Sequence, residues 1–108
     1  MEGKMNRKQI MTQVKQAILD IEPKADIIIY GSRTRENASS ESDWDILILV
    51  DGTIDDKRVD RIRHKLYEIE WESDEILSSI VRTKKQWNSP LYKAMPIHKN
   101  IEREGILL

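Results

Sequence analysis

The sequence predicts a small α+β domain, of α/β-like character, in which a short mixed β-sheet is flanked by helices. Two apolar runs, at residues 27–30 and 46–50, have the length and the β-branched content of buried strands. Two longer segments place apolar residues three and four positions apart, which is the periodicity of amphipathic helices. The predicted order is helix, strand, strand, helix, strand, helix, and this order indicates helices packed on a mixed sheet.

The first helix is predicted over residues 6–21, because its apolar residues recur at helical spacing. Asn6 and Gln9 have the separation of a capping box, and Pro23 is expected to end the helix. The first strand follows at about residues 26–30, and its unbroken apolar character predicts burial on both faces. The apolar positions of the helix are Ile10, Val14, Ala17, Ile18 and Ile21.

The second strand is predicted over residues 44–50, and Asp51-Gly52 forms the turn after it. A second long helix is predicted to begin at Asp55 or Asp56, and a third strand is predicted at about residues 75–82. The buried stripe of the second helix is expected to contain Val59, Ile62, Leu66 and Ile69.

The chain of 108 residues has the size of one domain, which we expect to span residues 1–108, with a core motif at 26–51 and a C-terminal tail at 86–108. The tail is predicted to contain a short helix near residues 97–103 that ends at Gly105. Exposed apolar residues on this tail are a predicted docking surface; they are Leu91, Tyr92, Ile97, Ile106 and Leu107.

Charge and composition exclude several classes of partner. The net charge is −1, which gives no overall attraction to nucleic acid or to an anionic membrane, so a long nucleic-acid partner is not expected. The sequence has no cysteine, and no apolar run approaches the length of a membrane span. We therefore expect a cytoplasmic protein with no membrane partner.

Two carboxylates at the start of the second strand suggest metal chemistry. Asp43 and Asp45 are two positions apart on a strand, so their side chains leave the same face, and Trp44 points the other way into packing. Two neighbouring carboxylates repel each other unless a cation lies between them. Hard oxygen ligands suit Mg²⁺, which also binds phosphate oxygens, and two such carboxylates can bridge a pair of metal ions.

A Gly-Ser turn follows the first strand, and ten residues separate it from Asp43. Gly31 allows the backbone to approach a phosphate closely, and Ser32 can donate its hydroxyl and its amide to phosphate oxygens. Arg33 and Arg35 add positive charge nearby, and each fits a phosphate contact as well as a solvated turn. Either motif alone is usually a local turn or capping feature. Together, each beside its own strand, they point to metal-assisted nucleotidyl transfer before other chemistries.

These motifs resemble the signature of minimal nucleotidyltransferases (MNT), in the DNA polymerase beta-like superfamily. The signature pairs Gly31-Ser32 with Asp43-Trp44-Asp45 after ten residues; Arg33 and Arg35 stand where the family often has basic residues, and Ser42 precedes the first Asp. The resemblance is close in the core motif and extends loosely, through the order of elements, to about residue 85. It implies a polymerase beta palm-like fold with both Asp residues on one strand.

The resemblance also implies a reaction and its partners. The reaction is Mg²⁺-dependent transfer of a nucleoside monophosphate, usually AMP from ATP or a related nucleoside triphosphate, to a hydroxyl, with release of pyrophosphate. Small members often pair, as antitoxin to toxin, with a HEPN-domain protein, and some modify a tyrosine of that partner. Asp43 and Asp45 are the implied metal ligands and catalytic residues. The implied nucleotide-binding residues are Gly31, Ser32, Arg33, Arg35 and Ser42.

The third carboxylate of such a site has no single position in this sequence. Glu75 is the predicted third catalytic carboxylate, Asp74 is the alternative, and both also fit the description of surface acids at the end of a loop. If the position were that of Ser78 or Ser79, the metal site would be incomplete. Glu36 replaces a glycine that the family usually has near the phosphate turn.

These departures support a second hypothesis, in which the domain keeps the fold, binds nucleotide weakly or not at all, and masks a partner protein. A third hypothesis, an unrelated α/β domain whose motif is coincidental, ranks last because the spacing and both flanking strands agree.

Overall fold

The computed structural model describes residues 6–31 and 43–108, and it shows an α+β fold with a four-stranded mixed sheet. The strand order is β3-β2-β1-β4; β1 is antiparallel to both β2 and β4, and β2 is parallel to β3. The predicted fold class is confirmed. The elements are α1 (Arg7–Ile21), β1 (Asp26–Tyr30), β2 (Trp44–Val50), α2 (Asp56–Ser73), β3 (Leu77–Thr83), α3 (Lys84–Trp87), α4 (Pro90–Lys93), α5 (Pro96–Glu104) and β4 (Ile106–Leu107).

Helix α1 begins with the predicted capping box. The side chain of Asn6 accepts from the backbone N–H of Gln9, the side chain of Gln9 accepts from the N–H of Asn6, and both distances are 2.9 Å. The helix ends at Ile21, just before Pro23, as predicted. Its buried residues are Ile10, Val14 and Ile18.

The sheet has one apolar layer on each face. Alternate residues of β2 contribute to the two layers, so Asp45 lies on the opposite face from Trp44. The larger layer, against α1 and α2, includes Trp44, Ile46, Ile48 and Val50 of β2 with Ile62 and Leu66 of α2. The smaller layer, against the C-terminal helices, is built around Leu47, Leu49, Trp87 and Ile101.

Helix α2 and the segment after it determine where β3 begins. Asp55 caps the start of α2, where its side chain accepts from the N–H of Arg58 at 2.8 Å. The helix ends at Ser73, and its C-cap Asp74 has the left-handed φ of 59°. The Glu70 side chain then accepts from the N–H of Leu77 at 2.8 Å, and the strand starts there. The predicted start of this strand at Glu75 was wrong by two residues.

The C-terminal segment contains more structure than its sequence predicts. Pro90 and Pro96 each occupy the first position of a short helix, where the missing N–H costs nothing. The last helix ends at Gly105 as predicted, but the two-residue β4, which pairs with β1, was not predicted. Of the predicted apolar docking residues, Leu91 and Leu107 are exposed, whereas the smaller layer and the sheet partly cover Tyr92, Ile97 and Ile106. Within the described ranges, no helix is both long and apolar enough to cross a membrane.

Candidate functional site

The two carboxylates lie at the N-terminal end of β2, where the strand emerges from the core. Trp44 is 1% exposed and packs in the larger layer, so the alternation of the strand directs Asp43 and Asp45 to the other face. Asp43 is exposed and Asp45 is half-buried. The N–H of Trp44 donates to the carbonyl of Ile76 at 2.8 Å, which fixes this end of β2 against the start of β3.

The charges of the two carboxylates interact. Burial raises the pKa of Asp45 above its usual value, and the nearby negative charge of Asp43 raises it further. Keeping Asp45 ionised in this environment is unfavourable, and a bound cation would relieve both contributions. The pair therefore has the electrostatic character of a cation site.

Gly31 follows β1 directly and lies next to Asp45. Its φ is +79°, and a Cβ atom built on it would overlap the Oδ2 atom of Asp45 and lie 3.3 Å from the Asp45 carboxyl carbon. Only glycine combines this backbone conformation with such a close approach. The predicted phosphate contact of Gly31 stays a prediction, but its backbone lies directly against one of the two carboxylates.

The register of the sheet identifies the neighbours of Asp45. Tyr30 of β1 and Ser78 of β3 are its partners on the two adjacent strands, and both share its face. Burial raises the pKa of Tyr30, and the charge of Asp45 raises it further. Because Ser78 is the residue opposite Asp45 on β3, the side chain at this position is an exposed hydroxyl and not a carboxylate. The sequence names Ser78 as one option, but only the strand register selects it.

Glu75 lies before β3 and contacts a different part of the site. Its Oε1 atom accepts from the indole Nε1 of Trp44 at 3.1 Å, and the Trp44 ring packs on the opposite face of the sheet from Asp45. Among the residues that the structure describes, no group of three or more His, Cys, Asp or Glu side chains is arranged to hold a metal ion. The role of Glu75 as third carboxylate stays a prediction.

The other predicted nucleotide-binding residues lie outside the described residues; they are Ser32, Arg33, Arg35 and Ser42. Glu36 lies there as well. The described part of the site therefore consists of Gly31, Asp43 and Asp45, with Tyr30 and Ser78 beside them.

Comparison with known proteins shows the family and the fold of this chain. The family model of the nucleotidyltransferase domain matches residues 11–108, and the chain belongs to this family of transferase domains. The resemblance found in the sequence motif is thus confirmed. A search of curated proteins found no significant match.

A solved structure shows the same fold. It is a crystal structure of a mutant of the toxin–antitoxin MntA-HpeT, and the similar chain superposes with a TM-score of 0.59 at 20% sequence identity. The alignment covers 97% of the present chain and 72% of the other. At this identity the likeness establishes the fold alone and says nothing about the residues of the candidate site.

The donor set of the site fits a divalent metal. Asp43 and Asp45 provide hard oxygen ligands on one face, and their mutual repulsion favours a cation between them. The described residues contribute two carboxylates to this cluster, and Ser78 is the further oxygen that the register places beside them.

Proposed function

We propose that this protein is a Mg²⁺-dependent nucleotidyltransferase that moves AMP from ATP, or the nucleoside monophosphate of another nucleoside triphosphate, to a hydroxyl of a protein or small-molecule acceptor. The observation that carries the proposal is the pair Asp43 and Asp45 on one face of β2, with the positive-φ Gly31 backbone against Asp45. Membership of the nucleotidyltransferase domain family supports the same reaction class.

Each residue of the motif has a proposed role. Asp43 and Asp45 hold Mg²⁺, which would neutralise triphosphate charge and orient the acceptor oxygen. Gly31, Ser32, Arg33, Arg35 and Ser42 hold the phosphates of the nucleotide. The protein forms no covalent intermediate, and the rate comes from positioning and charge.

The transfer is a single displacement. The acceptor oxygen forms a bond to the α-phosphorus, the bond to the bridging oxygen breaks, and pyrophosphate leaves. The acceptor loses its proton to a carboxylate, for which Glu75 is the proposed group. Glu75 accepts from Trp44, whose ring packs on the opposite face of the sheet from Asp45, so its side chain would have to turn toward Asp45 to act as this base.

We also propose a protein partner. The similar solved structure is described as a toxin–antitoxin, and the family resemblance of the sequence suggests an antitoxin-like pairing with a HEPN-domain protein. In that setting, a hydroxyl of the partner is a natural acceptor.

A second candidate function is a catalytically weak or silent binding module that masks its partner. The position of Ser78 favours it, because the residue opposite Asp45 on β3 carries no charge and the described residues form no three-acid cluster. Two carboxylates alone supply fewer oxygen ligands for a pair of metal ions than three would.

Calorimetry with ATP and Mg²⁺ tests the proposal, using the wild type, the double variant Asp43→Asn with Asp45→Asn, and the control Asp60→Asn. Asp60 is an exposed carboxylate of α2 that lies away from the motif. Metal-dependent binding that Asp60→Asn keeps and the double variant loses supports the enzyme site. No binding by the wild type contradicts it and favours the masking module.

A further inference from the structure

Helix α2 exposes an aromatic stripe that the core does not use. Arg63, Tyr67 and Trp71 are spaced four residues apart and form one line along the helix, separate from its buried stripe. Trp71 is 91% exposed and Tyr67 is 59% exposed. A tryptophan this exposed leaves a large apolar ring in water at a cost in free energy. The exposed aromatic side chains of α2 therefore suggest a binding surface.

The stripe lies between two adjoining grooves that share Tyr67. One groove, of about 280 Å³, runs between α2 and the edge strand β3, and Arg63, Tyr67 and Ser78 contribute to its walls. The other, of about 400 Å³, is formed by Tyr67, Trp71 and two glutamates of α2. The two grooves meet at Tyr67.

The charges around Trp71 select the chemistry of an occupant. Glu68 and Glu72 line the groove of Trp71, and both are exposed. An aromatic ring between two carboxylates attracts a cationic side chain, because the ring face and both carboxylates favour positive charge. An acidic partner or an anionic membrane would be repelled at this position.

We propose that Tyr67 and Trp71 of the α2 stripe, with Glu68 and Glu72 beside them, form the docking surface for a basic segment of a partner protein, and that Arg63 lies at the far end of the stripe. A Lys or Arg of the partner stacks on Trp71 between Glu68 and Glu72, and an apolar side chain of the partner covers Tyr67. Trp, Tyr and Arg are the residue types that contribute most to binding at protein interfaces, and here they occupy three consecutive positions of one helical line.

The docking surface adjoins the candidate transfer site but does not depend on it. Ser78 lines the groove along β3 and is also the sheet partner of Asp45. The stripe lies on the α2 side of the sheet and the carboxylates on the opposite side, so the two surfaces share only the edge strand β3. Because no residue of the stripe belongs to the carboxylate pair, docking should persist when Asp43 and Asp45 are both replaced by Asn.

A displayed library of random 16-residue peptides, selected on the intact protein, tests the proposal. The readout on chosen synthetic peptides is tryptophan emission, which reports mainly on Trp71 in its solvent-exposed component because Trp44 and Trp87 are 1% and 8% exposed. We expect the enriched peptides to carry net positive charge, and their binding to shift the emission to shorter wavelength.

Three variants sharpen the result. Affinities of the variants are measured by calorimetry, because Trp71→Ala removes the fluorescent reporter. Trp71→Ala should weaken peptide binding by at least ~10-fold, as is typical when a central interface aromatic is truncated. The double variant Glu68→Lys with Glu72→Lys should weaken it by a similar factor and should bind acidic peptides instead. Leu91→Ala, at a large apolar side chain that is 73% exposed on the C-terminal segment, should leave the affinity unchanged. Circular dichroism checks that each variant is folded.

Several results would overturn the proposal. These are a library that yields no enriched sequences, enriched peptides that are neutral or acidic, and equal affinity for Trp71→Ala and the wild type. Self-association of the wild type that Trp71→Ala abolishes, measured by sedimentation, would make a second copy of this chain the occupant and would likewise contradict a basic partner. A wild-type protein that binds the selected peptides but does not bind ATP would contradict the proposed transfer site and would still support the docking surface.

Discussion

Gly31 is the residue whose replacement most directly tests the geometry of the site. At its φ of +79° any side chain is strained, and a Cβ atom would also overlap the Asp45 carboxylate. We predict that Gly31→Ala lowers the free energy of unfolding by more than the roughly 1–2 kcal/mol that a left-handed alanine costs. Urea titration measures the stability, and calorimetry of the same variant should show loss of metal-dependent ATP binding.

Gly52 provides a matched control for Gly31. Its φ is +80°, but the nearest atom to an added Cβ is Arg58 Nη1 at 3.6 Å, which is ordinary contact. Gly52→Ala should therefore lose only the backbone contribution and should bind nucleotide normally. Equal losses of stability in the two variants would mean that the overlap with Asp45 is relaxed at little cost, contrary to the argument.

Asp45 illustrates a cost in stability at a candidate site residue. Because its folded pKa is raised above the usual 3.8, the folded state holds the proton more tightly than the unfolded state, so stability falls as the pH rises through this window. Without metal, we predict that Asp45→Asn is more stable than the wild type at pH 7 and equally stable at a pH below 3.8. Thermal unfolding in EDTA across this range measures the difference.

Two further measurements check the cause of this effect. Without metal at pH 7, Asp43→Asn should also be more stable than the wild type, but by less than Asp45→Asn. The reason is that the Asp43 charge is one of the causes of the raised pKa of Asp45. Added Mg²⁺ should stabilise the wild type and not Asp45→Asn. If Asp45→Asn is less stable than the wild type at pH 7 in EDTA, its carboxylate makes a favourable interaction that outweighs burial and repulsion.

At the scale of elements, local sequence signals predicted the parts of the fold that local forces determine. The bounds of β1 and β2 follow from apolar runs that end in turns, and α1 follows from Asn6, Gln9 and Pro23. The start of β3 could not be predicted from the sequence. The N–H of Leu77 donates to the Glu70 side chain, and no helix or strand periodicity relates these two positions. The two-residue β4 exists only because β1 offers it a free edge.

The ion pair of Glu22 and Arg58 links the end of α1 to the start of α2. Arg58 donates through Nε and Nη2 to the two carboxylate oxygens at 2.8 and 2.7 Å, and both side chains are largely buried. The hydrogen bond from Arg58 is the main cause that lowers the pKa of Glu22. We predict that Glu22→Gln lowers the free energy of unfolding by about 1–2 kcal/mol at pH 7.

The pH dependence of this difference follows from the direction of the shift. A carboxyl whose folded pKa is depressed stabilises the protein fully above its unfolded pKa, near 4.5, and loses this contribution as the pH falls through the folded pKa. Urea titrations from pH 7 to pH 2.5 should show the two proteins converge. Glu104→Gln, in a pair with Arg103 at 3.8 Å with side chains 45% and 71% exposed, should change stability by less than ~0.5 kcal/mol. A pH-independent loss in Glu22→Gln would assign it to packing.

At the scale of the whole molecule, the candidate site depends on how three strands are aligned. The sequence predicted that Asp43 and Asp45 share a face, because alternation within one strand is a local property. It did not predict that Tyr30 and Ser78 flank Asp45, because register depends on tertiary pairing. The third carboxylate was uncertain for the same reason: Glu75, Ser78 and Ser79 differ mainly in where the parallel alignment places them.

The register leads to a prediction for the assembled sheet. Ser78 faces the same side as Asp45, so Ser78→Asp should add a third carboxylate to the cluster. Without metal, the added charge should lower the melting temperature through repulsion. With Mg²⁺ and ATP it should raise the melting temperature above that of the wild type under the same conditions, because a ligand that binds only the folded state stabilises the whole molecule. Differential scanning fluorimetry measures both.

Ser79→Asp is the matched control, one residue along the same strand. Ser79 is the partner of Ile46 and faces the larger apolar layer, so a carboxylate there should destabilise the protein with or without Mg²⁺. If Ser78→Asp gains Mg²⁺-dependent stability and Ser79→Asp does not, a carboxylate on the Asp45 face of β3 can join the metal site, as the strand register predicts. A different outcome is that neither variant gains Mg²⁺-dependent stability, and that the single variant Glu75→Gln loses metal-dependent ATP binding. In that case Glu75 already supplies the third carboxylate, and the proposed enzyme is complete within this chain.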